Sequence, residues 1–182
     1  MRIDASLGDI TELAVDVVVN AANSSLLGGG GVDGAIHAAA GPGLLEACRE
    51  LRATRYPDGL PVGHAVATDA FDLPARWVVH TVGPNWRAGE RDPAMLASCF
   101  LSSLEVAVDL GARTIAFPAV SAGAYGWDVD EVARIATAAV RTWKVGTAQD
   151  RRPDGTPNGI SHAQFVLHDE RALRAFQEAL TA

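Results

Sequence analysis

The sequence predicts a three-layer α/β/α sandwich, and three observations carry that expectation. Short β-branched or apolar runs recur along the chain without polar alternation, as in strands buried on both faces. Amphipathic helical patterns lie between them, so a covered sheet needs helices on each side. The chain has 182 residues, 48% hydrophobic and 20% charged. That length and composition suit one continuous core and a single domain over residues 1–182.

Residues 2–5 are a candidate edge strand. Residues 15–20 (VDVVVN) read as a buried strand. A helix is expected from near Asp33, stopped by Gly41-Pro42. Leu44, Leu45, Cys48 and Leu51 then share one helical face. Residues 62–68 are a weaker strand pattern, and residues 76–82 (RWVVHTV) a strong one closed by Gly83-Pro84. Asp92-Pro93 fits an N-cap followed by proline in the first turn of a helix carrying Leu96, Cys99, Phe100 and Leu104 on one face. Residues 114–117 form a strand ended by Pro118. Asp128 and Glu131 fit a capping box before a helix with Val132, Ile135, Ala136, Ala139 and Val140 on one face. Residues 146–161, polar and rich in Gly and Pro, read as a surface loop. A strand at 163–168 and a helix carrying Leu173, Phe176 and Leu180 close the chain.

The formal net charge of −7 argues against general nucleic-acid binding, which needs clustered Lys and Arg. No apolar run reaches the ~20 residues of a membrane span, and the N-terminal MRIDASLGDITEL has no apolar signal core; a cytoplasmic protein is expected. Cys48 and Cys99 are isolated thiols, and no HExxH or similar spacing occurs, so neither a disulfide framework nor a metal or other cofactor is expected.

Two segments carry chemistry. In NAANSSLLGGGGVDG (20–34), four consecutive glycines follow a strand and precede a helix. Glycines let main-chain N–H groups approach a ligand, and a helix start adds a positive dipole end, so the segment is a candidate phosphate site that needs no basic side chain. Gly29, Gly31 and Gly34 satisfy G-x-G-x-x-G, but residues 21–28 separate them from the strand and no acid follows on a second strand, so the dinucleotide fingerprint fails. Asn20, Asn23 and Asp33 place polar groups beside the glycines. Asp33 fits either a ligand- or water-orienting carboxylate or the cap of its helix. Asn23 fits either a ligand contact or a turn residue satisfying its own backbone. No role is read for His37.

The second segment, PAVSAGAYGWD (118–128), repeats the order of strand, small-residue loop and helix start. Two such sites suit a diphosphate. Tyr125 and Trp127 are open between stacking on a ligand and plugging the core. Ser121 lacks the first glycine of the G-x-S-x-G nucleophile elbow, since Ala119 stands there.

GDITELAVDVVVNAANSSLLGGGGVDGAIHAAAGPGLLEAC, LPARWVVHTVGP and TIAFPAVSAGAYG together resemble the macrodomains, over nearly the whole chain. The group most resembled is the MacroD-type bacterial enzymes that hydrolyse O-acetyl-ADP-ribose and mono-ADP-ribosylated protein. The resemblance implies a mixed, mostly parallel central sheet within the sandwich and ADP-ribose as ligand. ADP-ribosylated proteins are the implied partners, and a monomer is expected. By position, Asp9, beside Ile10, resembles the acid that accepts from the adenine amino group; a cap paired with Glu12 is the other reading of Asp9. Asn23 resembles the family's asparagine at the distal ribose, and Asp33 its general base or water-orienting aspartate. Ala22, Gly30, Gly31 and Val32 fall in the first ligand segment. Ser121, Ala122, Gly123, Ala124, Tyr125 and Gly126 fall in the second, with Tyr125 near the distal ribose. The resemblance thus implies a metal-independent ADP-ribosyl hydrolase, with a non-catalytic ADP-ribose reader as the alternative. Against the family's usual STGVYGYP, this chain has Ala122, Ala124, Trp127 and Asp128, and Ala38 stands where arginine is common. Residues 52–60 (RATRYPDGL) also differ, and with 146–161 are a possible protein contact.

Overall fold

In the computed structural model, residues 1–143 and 159–182 are described. Six strands form one sheet: β1 (Arg2–Leu7), β2 (Val17–Ala22), β3 (Ala65–Asp69), β4 (Trp77–Val82), β5 (Thr114–Phe117) and β6 (His162–Leu167). Their order is β1-β6-β5-β2-β4-β3. Every pair is parallel except β3 with β4. The sheet is therefore mixed and mostly parallel, with all six predicted strands present.

Five helices cover it: α1 (Gly31–Ala40), α2 (Pro42–Thr54), α3 (Pro93–Asp109), α4 (Val129–Thr142) and α5 (Glu170–Thr181). Strand alternation sorts them. Val17, Val19, Val79, Ile115, Phe117 and Phe165 point to the face packed by α3, α4 and α5. There Phe165 stacks at 4.8 Å from Phe176 and 5.7 Å from Phe117. Val18, Val78 and Ala116 point to the other face, beneath Ile36 and Ala40 of α1 and Leu44 of α2. A second cluster on this face gathers Ala22, Val66 and Val82 with Cys48 and Leu60. Between the two clusters the pattern turns polar: Asn20 stands opposite His80 in the β2–β4 ladder, and both are fully buried.

The caps mostly follow local chemistry. Asp92 accepts from the Ala94 N–H, with Pro93 opening α3, and Gly41 (φ +75°) ends α1 ahead of Pro42. Asp128 accepts from the N–H groups of Asp130 and Glu131, while Glu131 pairs with Arg134 at 3.8 Å. Asp33 is not a cap. α1 starts two residues before it, with Gly30 at the N-cap and no side-chain cap bond. Residues 52–54 belong to α2, and the turn after them is tied to the first loop, where the Leu60 N–H donates to the Ser24 carbonyl at 2.9 Å. Most of the expected 146–161 loop lies outside the described residues. No helix among the described residues is long and apolar enough to cross a membrane.

Candidate functional site

Parallel strands deliver their C-terminal ends to one edge of the sheet, where an α/β fold opens its crevice. Here a cavity of about 960 Å³ opens at the ends of β1, β2, β5 and β6. Asp9, Ile10, Ala22, Asn23, Gly30, Gly31, Val32, Asp33, Ser121, Ala122, Gly123, Ala124 and Tyr125 all line it. Gly126 does not. Its φ of +80° turns the chain away, and a Cβ there would stand 2.8 Å from Arg87 Nε.

Two stretches of the wall present main chain. The N–H groups of Gly29, Gly30, Gly31, Val32 and Asp33 have no acceptor among the described residues, because α1 begins without a side-chain cap. A Cβ on Gly30 or Gly31 would meet nothing within 4 Å, so both glycines border open space. In the second loop the N–H groups of Ser121, Gly123, Ala124 and Tyr125 also lack acceptors among the described residues. Among the described residues Arg171 is the one Arg or Lys in the lining, and its guanidinium already lies 3.6 Å from Asp128 and 3.7 Å from Asp130. An anion here would be held by peptide nitrogens.

The second loop differs from its expected form. Asp128 accepts from the N–H groups of Asp130 and Glu131, so the start of α4 is already partly taken. Trp127 is 2% exposed and packs edge-on to Trp86 at 5.1 Å, inside the core, whereas Tyr125 lines the cavity. Burial raises the Tyr125 pKa, assisted by Glu90 and Asp33, so the phenol stays a hydrogen-bond donor. Ser121, not Gly123, takes the left-handed conformation (φ +68°), and its buried Oγ has no partner. The strain, about 1–3 kcal/mol for a non-glycine residue, is held by close packing. A Cβ on Gly83 would sit 2.1 Å from that oxygen.

Asp33 is the buried charge of the site, 4% exposed. Asn20 Nδ2 donates to its Oδ1 at 2.7 Å, and His37 Nε2 lies 3.5 Å from the same oxygen. Burial raises the Asp33 pKa, against the opposing pull of Asn20 and His37. A Cβ on Gly29 would be 3.0 Å from Asp33 Oδ2 and 3.2 Å from Asn23 Nδ2, so both side chains border that glycine. Asn23 also builds its own turn: Oδ1 accepts from the Ser25 N–H at 3.1 Å, and Nδ2 donates to the Gly28 carbonyl at 2.9 Å. At the far end Asp9 accepts from the N–H and hydroxyl of Thr11; the hydroxyl bond first, then the N–H, holds its pKa below the ordinary value.

Sequence reasoning missed five contributors. His37 reaches Asp33 because positions i and i+4 share a helix face. His80 supports Asn20, a partnership signalled only by a lone polar residue in β2 and a histidine in the mostly apolar β4. His168, Asp169 and Arg171 line the Asp9 end because β6 ends at the same sheet edge.

Residues 19–136 match the Macro domain family. A macro domain-containing protein of Streptomyces griseus is 56% identical over 173 residues, covering 95% of this chain and 91% of that protein. An O-acetyl-ADP-ribose deacetylase of Escherichia fergusonii is 50% identical over 181 residues, covering 99% of this chain and 96% of the relative. The Oceanobacillus iheyensis macrodomain, solved with ADP, superposes with a TM-score of 0.85 at 40% identity, covering 97% of this chain and 88% of that one. By fold, sequence and the placement of its glycine loop, this chain belongs to the Macro domain family.

Proposed function

We propose that the chain binds ADP-ribose and hydrolyses esters of its distal ribose, in O-acetyl-ADP-ribose and in proteins mono-ADP-ribosylated on Glu or Asp. The observation that carries this reading is a buried carboxylate, Asp33, set in the wall of a cavity that two loops of unpaired peptide N–H groups also border. A negative group beside an anion site opposes binding, so its presence calls for a chemical task. The named activity of the deacetylase relative and the ADP in the superposed macrodomain point the same way.

In this reading the two loops hold the diphosphate, Asp9 receives the adenine amino group, and Asn23 and Tyr125 border the distal ribose. Asp33 orients a water and takes its proton. The water oxygen bonds to the ester carbonyl carbon, the carbon–oxygen bond to the ribose breaks, and the ribose oxygen leaves with a proton. The products are a carboxylic acid and ADP-ribose. Positioning and one proton acceptor suffice for such an activated bond.

Asp33→Ala is expected to lower kcat by at least about 100-fold, the ordinary yield of general-base catalysis, with ADP-ribose affinity retained by calorimetry. An Asp33→Ala variant that turns over at the wild-type rate ends the assignment. A wild-type protein that binds ADP-ribose but leaves the modification intact at saturating concentration is a reader instead.

A further inference from the structure

Behind Asp33 lies a buried polar chain that the proposed chemistry does not use. Asn20 Nδ2 donates one hydrogen to Asp33 Oδ1 at 2.7 Å and is 3.1 Å from His80 Nδ1. His80 Nε2 is in turn 3.0 Å from Thr68 Oγ1, with Cys48 Sγ at 3.7 Å. The residues come from β2, β4 and β3, and Asn20, His80 and Thr68 are all buried. With Asn20 donating to both neighbours, the neutral imidazole accepts at Nδ1 and carries its proton on Nε2, aimed at Thr68. Asn20 Oδ1 is then the one buried atom of that amide left without a partner.

The opposite polarity is possible on paper. A protonated Asp33 could donate to a flipped Asn20, and the other His80 tautomer could do the same. Both Asn20 N–H groups would then be buried without acceptors, a greater loss than one unpaired carbonyl. We propose that His80 is a positioning residue: by accepting from Asn20 it locks that amide as a donor, and the locked amide holds Asp33 ionised with Oδ1 fixed and Oδ2 turned to the glycine loop.

Removing the His80 acceptor makes the two Asn20 orientations equally unsatisfied, so the protonated form of Asp33 gains by one hydrogen bond. Burial, and then the nearby His37, hold the imidazole itself at a pKa of about 3, so it stays neutral while Asp33 titrates. The other titratable groups around Asp33 are His37 on its own helix, Cys48 on α2 and Tyr125 on the second loop. Burial pushes the Cys48 thiol up to about 11 and raises the Tyr125 phenol, so neither ionises in the same range.

The catalytic consequence rests on the hydrolase reading, but the lock itself is testable without turnover. The side-chain carboxyl of Asp33 is titrated by carbon-13 NMR in the unliganded full chain, for wild type, His80→Leu and Thr68→Val. His80→Leu is expected to raise the Asp33 midpoint by about one pH unit, the worth of one charge-assisted hydrogen bond. Thr68→Val, which strands the Nε2–H, raises it by less, and decides the matter if His80→Leu does not fold. In the ester assay the acid limb of kcat moves up with the midpoint while KM stays. Folded variants with an unmoved midpoint overturn the proposal. A moved midpoint in a protein without esterase activity keeps the lock and removes the hydrolase reading.

Discussion

The glycine loop ahead of α1 and the small-residue loop ahead of α4 line one cavity, yet they are supported in different ways. The first ends on an uncapped helix start and rests on the polar network of Asn20, His80 and Asp33. The second ends on a helix already capped by Asp128, and rests on Val120 and Trp127 in the apolar core. The start of α1 is therefore open to a ligand while that of α4 is already partly taken by Asp128, so the second loop offers chiefly its own peptide N–H groups and the Tyr125 phenol. Two segments of the same order, strand to loop to helix, are not two copies of one device.

Exchanging the features of the loops breaks or sharpens this contrast. Gly30→Asp gives α1 the kind of cap that α4 has. Gly30 is extended (φ −100°), so aspartate fits the backbone, and its carboxylate would cover the open N–H groups. ADP-ribose affinity is expected to fall at least about 100-fold, near 2.7 kcal/mol, with folding intact by circular dichroism. Unchanged affinity would show that the open helix start is irrelevant to binding.

Gly83→Ala attacks the support of the second loop, driving a methyl group against Ser121 Oγ and Val120. Overpacking of this kind costs about 1–3 kcal/mol. A thermal melt should fall by several degrees, at about 2–4 °C per kcal/mol for a chain of this size.

Acid should loosen the first loop before the second. His80 has a folded pKa of about 3, depressed from 6.5 by burial and then by His37. Between those values the unfolded chain binds a proton that the folded chain refuses, so stability declines as pH falls. From pH 6 to 4.5 the loss is at most about 2 kcal/mol, at 1.4 kcal/mol per pH unit. Asp33 acts in the opposite sense: its raised folded pKa lets the folded chain take up a proton first, which offsets part of the loss. Hydrogen exchange across this range should show α1 losing protection ahead of α4; simultaneous loss would contradict the difference in foundations.

The smallest effect is expected at Asp128→Ala. Losing a cap costs about 1 kcal/mol of stability. Because Asp128 turns its carboxylate to its own helix and does not line the cavity, ADP-ribose affinity should stay within about threefold by calorimetry. A large change in affinity would place Asp128 in the ligand's field.

The strands and helices were legible in the sequence because each depends on a local pattern. VDVVVN, RWVVHTV and TIAF lie over β2, β4 and β5, and Asp92, Asp128 and Gly41-Pro42 mark helix ends through their own side chains and dihedrals. The glycine run was legible for the same reason, since four consecutive glycines require a backbone explanation. What could not be read locally was partnership. Asn20 and His80 are 60 residues apart and meet only because β2 and β4 pair in register, and the choice between core and cavity for Trp127 and Tyr125 depended on the position of Trp86. Asp33 fitted a cap equally well until α1 began at Gly31 and turned its carboxylate inward. Sequence by itself determined the elements, the anion-ready main chain and the family resemblance, because dihedral preference and hydrophobic periodicity act over a few residues. Tertiary structure alone decided that the start of α1 stays uncapped by Asp33 and which buried groups hold that carboxylate, because burial and hydrogen-bond pairing exist only once distant strands lie side by side.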